Sequence, residues 1–467
     1  MHAEARHWLD KLHPIYQGRK WIVASDVLVA ANGRVGHLLS LDAAGVFVVA
    51  GTRGVGEAVD STLVDIEVLN VEAEGMVARV RASLEAFESV PATVRDKIDA
   101  WDPDGEACVL GPIFATGTQV AGRRYFGGRP KSWWELEDKT RCDAILAEAG
   151  VLSAPYEIVP ASQAALTQAA ARLDVGEGTV WAGDSRDGFT GGGDKVFWVQ
   201  TPEQASKAAA QLGATCERVR VMPFLEGIPC SIHGLVLPDR VLALRPCEML
   251  VVRGPEPGHF TYIGTGSTWE PPAEDVAAMR AIARAVGEVL ARRRDFRGMF
   301  TVDGVMTVDG FRPTEINPRV GGAAGMLVGQ IEGFPFELVQ YALAEGSEVD
   351  WEGDRLERAI LAASEDSRLA RGPVVVDTRL PAGRLFWRRE ADGWQVVDRE
   401  TLATAVVSVG NLMQGSMLIF RILPKALPTG PSAAGEVMGL LQAVGRHFDV
   451  ALPKWDLAQE RRAWGSP

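Results

Sequence analysis

Unbroken apolar runs open the chain, and polar, helix-patterned segments separate them. WIVASDVLVA (21–30) and GVFVVAGTRGVGE (45–57), the second ending in a glycine-rich turn, predict buried strands of an α/β layer. Residues 122–159 predict a loop, then a helix with Ile145, Leu146 and Ala149 on its apolar stripe and Gly150 as its stop, then a strand. Between 161 and 215, alanine-rich helical segments flank GTVWAGDSRDGFTGGGDKVFWV (178–199), which predicts two short strands joined by a glycine-dense loop. Antiparallel strands follow over 217–253, with turns at Glu226-Gly227 and Pro238-Asp239. Val276, Met279, Ile282, Val286, Val289 and Leu290 then share one face of a helix. GMFTVDGVMTVDGFRPTEINPR (298–319) predicts a hairpin turning at Asp309-Gly310. Residues 351–467 mix strands with a helical end, and no repeat of solenoid period is present.

Composition adds limits rather than elements. The 467 residues are 47% apolar and 23% charged, the profile of a globular chain of several domains. A formal charge of −13 argues against nucleic acid as the main partner. The densest basic run, Arg292-Arg293-Arg294, closes the predicted helix, where positive charge suits the C-terminal dipole. Cys108, Cys142, Cys216, Cys230 and Cys247 lack CxxC spacing, so neither a disulfide framework nor a structural zinc site is expected, and a cytoplasmic home is. MHAEARHWLDKLHPIYQGRK carries no apolar leader core, and no run is long and apolar enough to predict a membrane span.

The candidate chemistry lies at the end of the hairpin. Alternate side chains of a strand share a face, so Glu315, Asn317 and Arg319 project together while Ile316 enters the core; Pro318 marks the strand's end. Asp303, on the partner strand, can add a third oxygen. Such hard donors suit Mg²⁺, with Mn²⁺ the alternative, and Arg319 could neutralise phosphate charge left uncovered. The competing reading is a surface hairpin with a Glu315–Arg319 ion pair. GTRGVGE lacks the full GxGxxG spacing and is read as a strand-end turn that helps shape a ligand crevice, with a direct phosphate or substrate contact as the alternative. His233, near Cys230, is read as core packing with no catalytic role. Trp133, Trp134, Trp181, Trp198 and Trp269 are read as core, rim or acceptor-pocket residues.

With GMFTVDG…TEINPRVGG as its most specific element, the order of features resembles the ATP-grasp superfamily, most of whose members join a carboxylic acid to an amine through an acyl phosphate. The resemblance covers residues 131–345, and 21–125 are similar to the Rossmann-like domain that precedes the grasp there. It implies a mixed α/β and α+β chain: a Rossmann-like domain in 1–130, a lid lobe in 131–221, a core lobe with the metal site in 222–350, and an α+β extension in 351–467. The layout also resembles actinobacterial peptide ligases of natural-product pathways.

Residue by residue, the resemblance implies Asp303, Glu315 and Asn317 as Mg²⁺ ligands, with Arg319 on phosphate or the intermediate. ELEDKTRCD (135–143) is similar to the helix start whose lysine, here Lys139, reaches the nucleotide phosphates. VRVMPFLEGIPCS (219–231) is similar to the hinge that grips adenine, placing Met222, Phe224 and Leu225 around the base. The acid expected on the ribose falls at Pro229-Cys230, and Glu226 is its displaced candidate. SRDGFTGGGD (185–194) corresponds to the lid loop, with Gly191 and Gly192 against phosphate. A second lysine, common on the first lid strand, is missing from WAGD, where Gly183 stands at the nearest position. Arg186, Lys195, Arg245 and Arg253 are its candidate substitutes, Arg245 being assigned to catalysis. The implied partners are a small carboxylate and an amine, amino acid or peptide, with residues 351–467 covering the acceptor pocket or forming a homodimer surface. The alternatives are a kinase or carboxylase on the same fold, and a nucleotide-binding regulatory protein without turnover.

Overall fold

The structure is a computed structural model, and it describes residues 2–54, 56–57, 59–73, 76–112, 114–115, 117–185, 193–254, 258–329, 331–366, 368–412, 414–453 and 455–457. The first apolar runs form β1 (Lys20–Val27) and β2 (Gly45–Thr52), which with β3 (Asp65–Val68) and β4 (Cys108–Leu110) make a parallel sheet in the order β3-β2-β1-β4. Trp21 to Ala24 and Val46 to Ala50 are all buried, as strands covered on both faces require. The helix Ala3–Tyr16 lays Ala5, Trp8, Leu9, Leu12 and Tyr16 on this layer, and Trp8 stacks on Trp351 at 6.3 Å. A two-stranded ribbon, β5 (Gln119–Val120) and β6 (Arg123–Arg124), follows.

The next segment departs from the expected single helix. It breaks into Lys131–Trp134, a 3₁₀ turn Glu135–Glu137 and the helix Cys142–Glu148. Asp138 Oδ1 accepts from Thr140 N at 2.8 Å and Thr140 Oγ1 at 2.7 Å, a local bond that competes with helical hydrogen bonding. Lys139 therefore stands in a turn.

A small antiparallel sheet comes next: β7 (Glu157–Pro160), β8 (Thr179–Gly183), β9 (Val196–Val199) and β10 (Arg218–Pro223), in the order β7-β10-β8-β9. The helices Gln163–Leu173 and Pro202–Thr215, capped by Ser162 and by a Thr201–Gln204 capping box, cover one face. Trp181, Val219 and Val221 pack there with Leu166 and Leu212. Val180, Met222 and Phe224 take the other face.

The largest sheet is eleven-stranded and antiparallel. It contains β11 (Ile228–Val236), β12 (Val241–Ala243), β13 (Cys247–Arg253), β14 (Phe260–Gly266), β15 (Gly298–Thr307), β16 (Gly310–Asn317), β17 (Ala370–Val376), β18 (Gly383–Glu390), β19 (Gly393–Val397), β20 (Ala405–Asn411) and β21 (Ser416–Ile422). The path runs β16-β15-β11-β13-β14-β17-β21-β20-β18-β19, with β12 beside β11. The helix Ala273–Arg294 buries Met279, Val286, Val289 and Leu290, and its last turn holds Arg292 to Arg294, as expected of positive charge at that end. The strands after residue 350 are continuous with the sheet that carries the candidate site, because β17 pairs with β14 at Thr265–Arg371 and Gly266–Ala370. No described helix is long and apolar enough to cross a membrane.

Candidate nucleotide and metal site

Register builds the site. Ser231 on β11 stands opposite Asp303 on β15, which stands opposite Glu315 on β16. One step along the same face, His233 stands opposite Thr301, and Thr301 opposite Asn317. Between these two polar rows, Ile232, Val302 and Ile316 point to the opposite face and fill the core under the helix Ala273–Arg294. Alternation thus converts three neighbouring strands into a polar patch on an apolar base. All six polar residues line a cavity of about 440 Å³.

The opposite end of that cavity is apolar. Val180, Val196, Met222, Phe224 and Leu225 face Met249, Val251, Phe260 and Val305. Phe224 stacks on Trp198 at 4.3 Å, and Arg253 lies over both rings, 5.1 Å from Trp198 and 5.2 Å from Phe224. A flat heteroaromatic group at this end and an anionic tail at the other match the two chemistries.

Lys139 and Arg319 supply the positive charge. Lys139, 8% exposed, reaches Glu315 Oε1 at 3.1 Å. Burial works against its charge, but Glu315 outweighs burial and lifts the amine above the ordinary lysine range. Glu137 is buried between Arg129 Nη2 at 2.5 Å and Arg319 Nε at 3.2 Å, so its carboxylate fixes the Arg319 guanidinium. Burial opposes that carboxylate's charge, and the two arginines hold it below its usual range nonetheless. Phe114, from the loop after β4, covers the guanidinium at 4.9 Å. The expected alternative, a Glu315–Arg319 ion pair, is replaced by Lys139–Glu315 and Arg319–Glu137.

Does this donor set fit a divalent cation? Asp303 is half-buried on the cavity wall, and burial first, then the Glu315 charge, push its carboxyl up to about 7. Two carboxylates held side by side repel in this way, even with Lys139 on Glu315. Asn317 Nδ2 donates to Asp303 Oδ2 at 2.8 Å, so the amide is already within the cluster. No group of three or more His, Cys, Asp or Glu side chains gathers among the described residues. The set is therefore two carboxylates and an amide, which suits Mg²⁺, an ion that keeps few protein ligands and completes its shell with phosphate and water.

Of the residues singled out from the sequence, Lys139, Met222, Phe224, Leu225, Asp303, Glu315, Asn317 and Arg319 line this one cavity. Arg245 does not. It is drawn off the wall by Glu365 and by Glu270 at 3.6 Å, and is removed from the catalytic set. Glu226 also stands off the wall; both its oxygens accept from Arg253 Nη2, at 2.7 and 2.8 Å, so it fixes the arginine that lines the cavity. Arg186, Gly191 and Gly192 lie outside the described residues. Lys195 Nζ bonds the carbonyls of Asp184 and Thr215, both at 3.4 Å. A Cβ on Gly183 would meet Cys216 Sγ at 2.5 Å, so that position faces the covering helix. Ala182 shares the strand face of Val180, which lines the cavity.

Ser231, His233, Thr301, Phe114 and Glu137 were not singled out as site residues. The alternation of Ser231 with His233 was legible, but their placement beside Asp303 and Thr301 depends on a pairing between strands far apart in sequence.

No protein-family model and no curated protein matches the chain's sequence. Solved structures match it by fold. Biotin carboxylase from Campylobacter jejuni in complex with β-γ-ATP aligns at TM-score 0.56 and 11% identity, over 94% of this chain and 92% of that one. The biotin carboxylase domain of the Hydrogenobacter thermophilus 2-oxoglutarate carboxylase, in complex with MgADP, ADP and bicarbonate, aligns at 0.53 and 11%, over 93% and 91%. Carboxyaminoimidazole ribonucleotide synthase from Aspergillus clavatus, complexed with ATP, aligns at 0.51 and 13%, over 92% and 98%. At such identities the likeness shows the fold: this chain has the ATP-grasp fold over most of its length.

Proposed function

We propose that this protein is an ADP-forming carboxylate–amine ligase, acting on an amino acid or small peptide, with natural-product peptide bond formation as the specific setting. The observation that carries the reading is the polar patch of Asp303, Glu315 and Asn317, flanked by Lys139 and Arg319, at one end of a cavity whose other end is apolar. That arrangement can hold a nucleotide by its base and leave its terminal phosphate among oxygen donors and cations.

In the first step an oxygen of the substrate carboxylate attacks the γ-phosphorus of ATP; the bond from that phosphorus to the β-phosphate oxygen breaks, and ADP leaves. Lys139 and Arg319 balance charge on the transferring group. Asp303, Glu315 and Asn317 would hold Mg²⁺, which when bound neutralises phosphate charge as a Lewis acid. In the second step the amine nitrogen attacks the acyl carbon, the carbon–oxygen bond to phosphate breaks, and the nitrogen's proton leaves with the phosphate. Burial of Arg319 between Glu137 and Phe114 keeps its guanidinium oriented through both steps.

The test is ADP release with MgATP, N-acetylated proteinogenic amino acids as acids and hydroxylamine as the amine. Release that needs both acid and amine is expected. Glu315→Ala and Asn317→Ala are each expected to lower it roughly 100-fold or more; unchanged turnover in either variant would refute the assignment. A second reading has one observation in its favour: solved structures with this fold include carboxylases. Release that needs bicarbonate instead of amine would select it.

A further inference from the structure

One row of residues leaves the cavity sideways and ends in a pair of arginines. Met249 on β13 and Thr265 on β14 both line the cavity and stand opposite each other. Thr265 also stands opposite Arg371 on β17, and Arg371 opposite Arg421 on β21. Directly opposed residues share a sheet face, so the two arginines continue the cavity wall outward. Arg371 is half-buried: its Nη2 donates to the Gly322 carbonyl at 3.2 Å, and a Cβ on Gly325 would stand 3.1 Å from the same nitrogen. Gly322 belongs to the cavity lining, as does Tyr262, which acts on the Arg371 charge. Arg421 is exposed, so the pair reaches from the cavity rim to solvent.

The two charges lack a counter-charge. Among the described residues the Gly322 carbonyl is the only acceptor of the Arg371 guanidinium, and neither arginine has a carboxylate partner. Lys139 and Arg319 differ, since Glu315 and Glu137 hold them. Burial draws the Arg371 guanidinium below the ordinary arginine range; Tyr262 opposes that shift and Arg421 adds to it. Like charges directly opposite on neighbouring strands destabilise a sheet, and half-burial without a counter-charge adds to the cost. An oxyanion seated between the two guanidinium groups offsets both effects through charge-assisted hydrogen bonds.

We infer that Arg371 and Arg421 form a subsite for an oxyanion, carboxylate or phosphate, that the non-nucleotide substrate keeps through the reaction. The inference rests on the ligase reading above. Amide formation consumes the carboxyl group of a monocarboxylic acid, and the oxyanion that survives is then the amine partner's. The subsite thereby favours an amino acid, a peptide or an aminoalkyl phosphate over a simple amine. Both arginines act on binding and leave the bond-making steps as described.

The experiment uses the full chain with saturating MgATP and N-acetylated proteinogenic amino acids. Glycine, glycylglycine and phosphoethanolamine are compared with hydroxylamine, which bears no oxyanion. Arg371→Gln and Arg421→Gln are each expected to raise the KM of at least one anionic amine about tenfold, without moving the hydroxylamine KM or the calorimetric MgATP affinity. Arg421→Lys, which keeps the charge, is expected to recover part of the loss. A shift confined to glycine or glycylglycine identifies a carboxylate, and one confined to phosphoethanolamine a phosphate. Arg421→Gln, at an exposed position, decides the matter if Arg371→Gln does not fold. Anionic amines that are not used, or whose KM the substitutions leave in place, overturn the inference while hydroxylamine-dependent ADP release keeps the ligase reading standing. A hydroxylamine KM or MgATP affinity that moves together with the anionic KM also overturns it, by assigning the pair to the nucleotide or to the sheet. Wild-type protein with no amine-dependent ADP release overturns both readings at once.

Discussion

Asp26 stands near the carboxyl end of β1 with its Oδ1 buried and lacking a hydrogen-bond partner among the described residues. Burial pushes its carboxyl up from 3.8 to about 6, with Arg34 pulling weakly the other way. Well below pH 3.8 the side chain is protonated in folded and unfolded chains alike, and the shift costs nothing. As pH rises toward 6 the unfolded chain ionises freely while the folded one resists, so stability is lost across that window. Asp26→Asn removes the penalty. The variant is expected to match wild type at ~pH 3 and to be more stable by about 1–3 kcal/mol above pH 6, as read by urea denaturation at both pH values. Equal stability at both would show that water reaches the carboxylate. At this scale much of the site was legible: Glu315, Asn317, Asp303 and Arg319 follow from strand alternation and a DG turn. Arg245 and Glu226 stand off the cavity because a long side chain's destination depends on which opposite charge the fold brings within reach, here Glu365 and Arg253 respectively.

At the scale of elements, the junction between β14 and β17 decides what the last third of the chain does. Gly264 (φ +149°) and Gly372 pass so closely that a Cβ on Gly372 would lie 2.0 Å from the Ile263 carbonyl oxygen and 2.3 Å from Gly264 Cα. Backbone cannot move aside as a flexible side chain can. Gly372→Ala is therefore expected to cost about 1–3 kcal/mol and to loosen β17 from β14. Hydrogen exchange at Arg371 and Thr265 would rise ahead of exchange in β20, if the junction is where strain enters. Strands were expected at VVVDTRL, GRLFWRRE and GWQVVD; β17, β18 and β19 overlap them, while β20 and β21 were not singled out. Their continuation of the core sheet was not foreseen, because no residue in 351–467 signals which strand edge it will meet.

Across the whole molecule, the apolar core joins segments the sequence suggested as separate. One buried cluster contains Trp8, Leu12 and Val48 from the N-terminal layer together with Leu327, Leu338, Val339, Trp351 and Ile360. Tyr16 donates to the Leu338 carbonyl at 2.6 Å, and Arg34 reaches Glu337 at 3.1 Å. Residues 131–467 produced alone would expose the far side of this cluster. They are expected to be collapsed and poorly packed, with near-UV circular dichroism largely lost; a sharp cooperative unfolding transition in that fragment would show that the N-terminal layer is dispensable.

By itself the sequence determined the local elements and the chemical character of the hairpin, because alternation, helical spacing and turn residues act between near neighbours. It also determined that Met222, Phe224 and Leu225 would form an apolar stretch and that WAGD (181–184) carries no lysine. Tertiary structure decided which strands lie side by side. That pairing set Ser231 against Asp303 and His233 against Thr301, drew Lys139 to Glu315, and turned Gly183 away from the cavity while Ala182 took the facing side. Register between strands separated by many residues is chosen by burial of the whole sheet face, a sum over distant positions that no single stretch of chain carries.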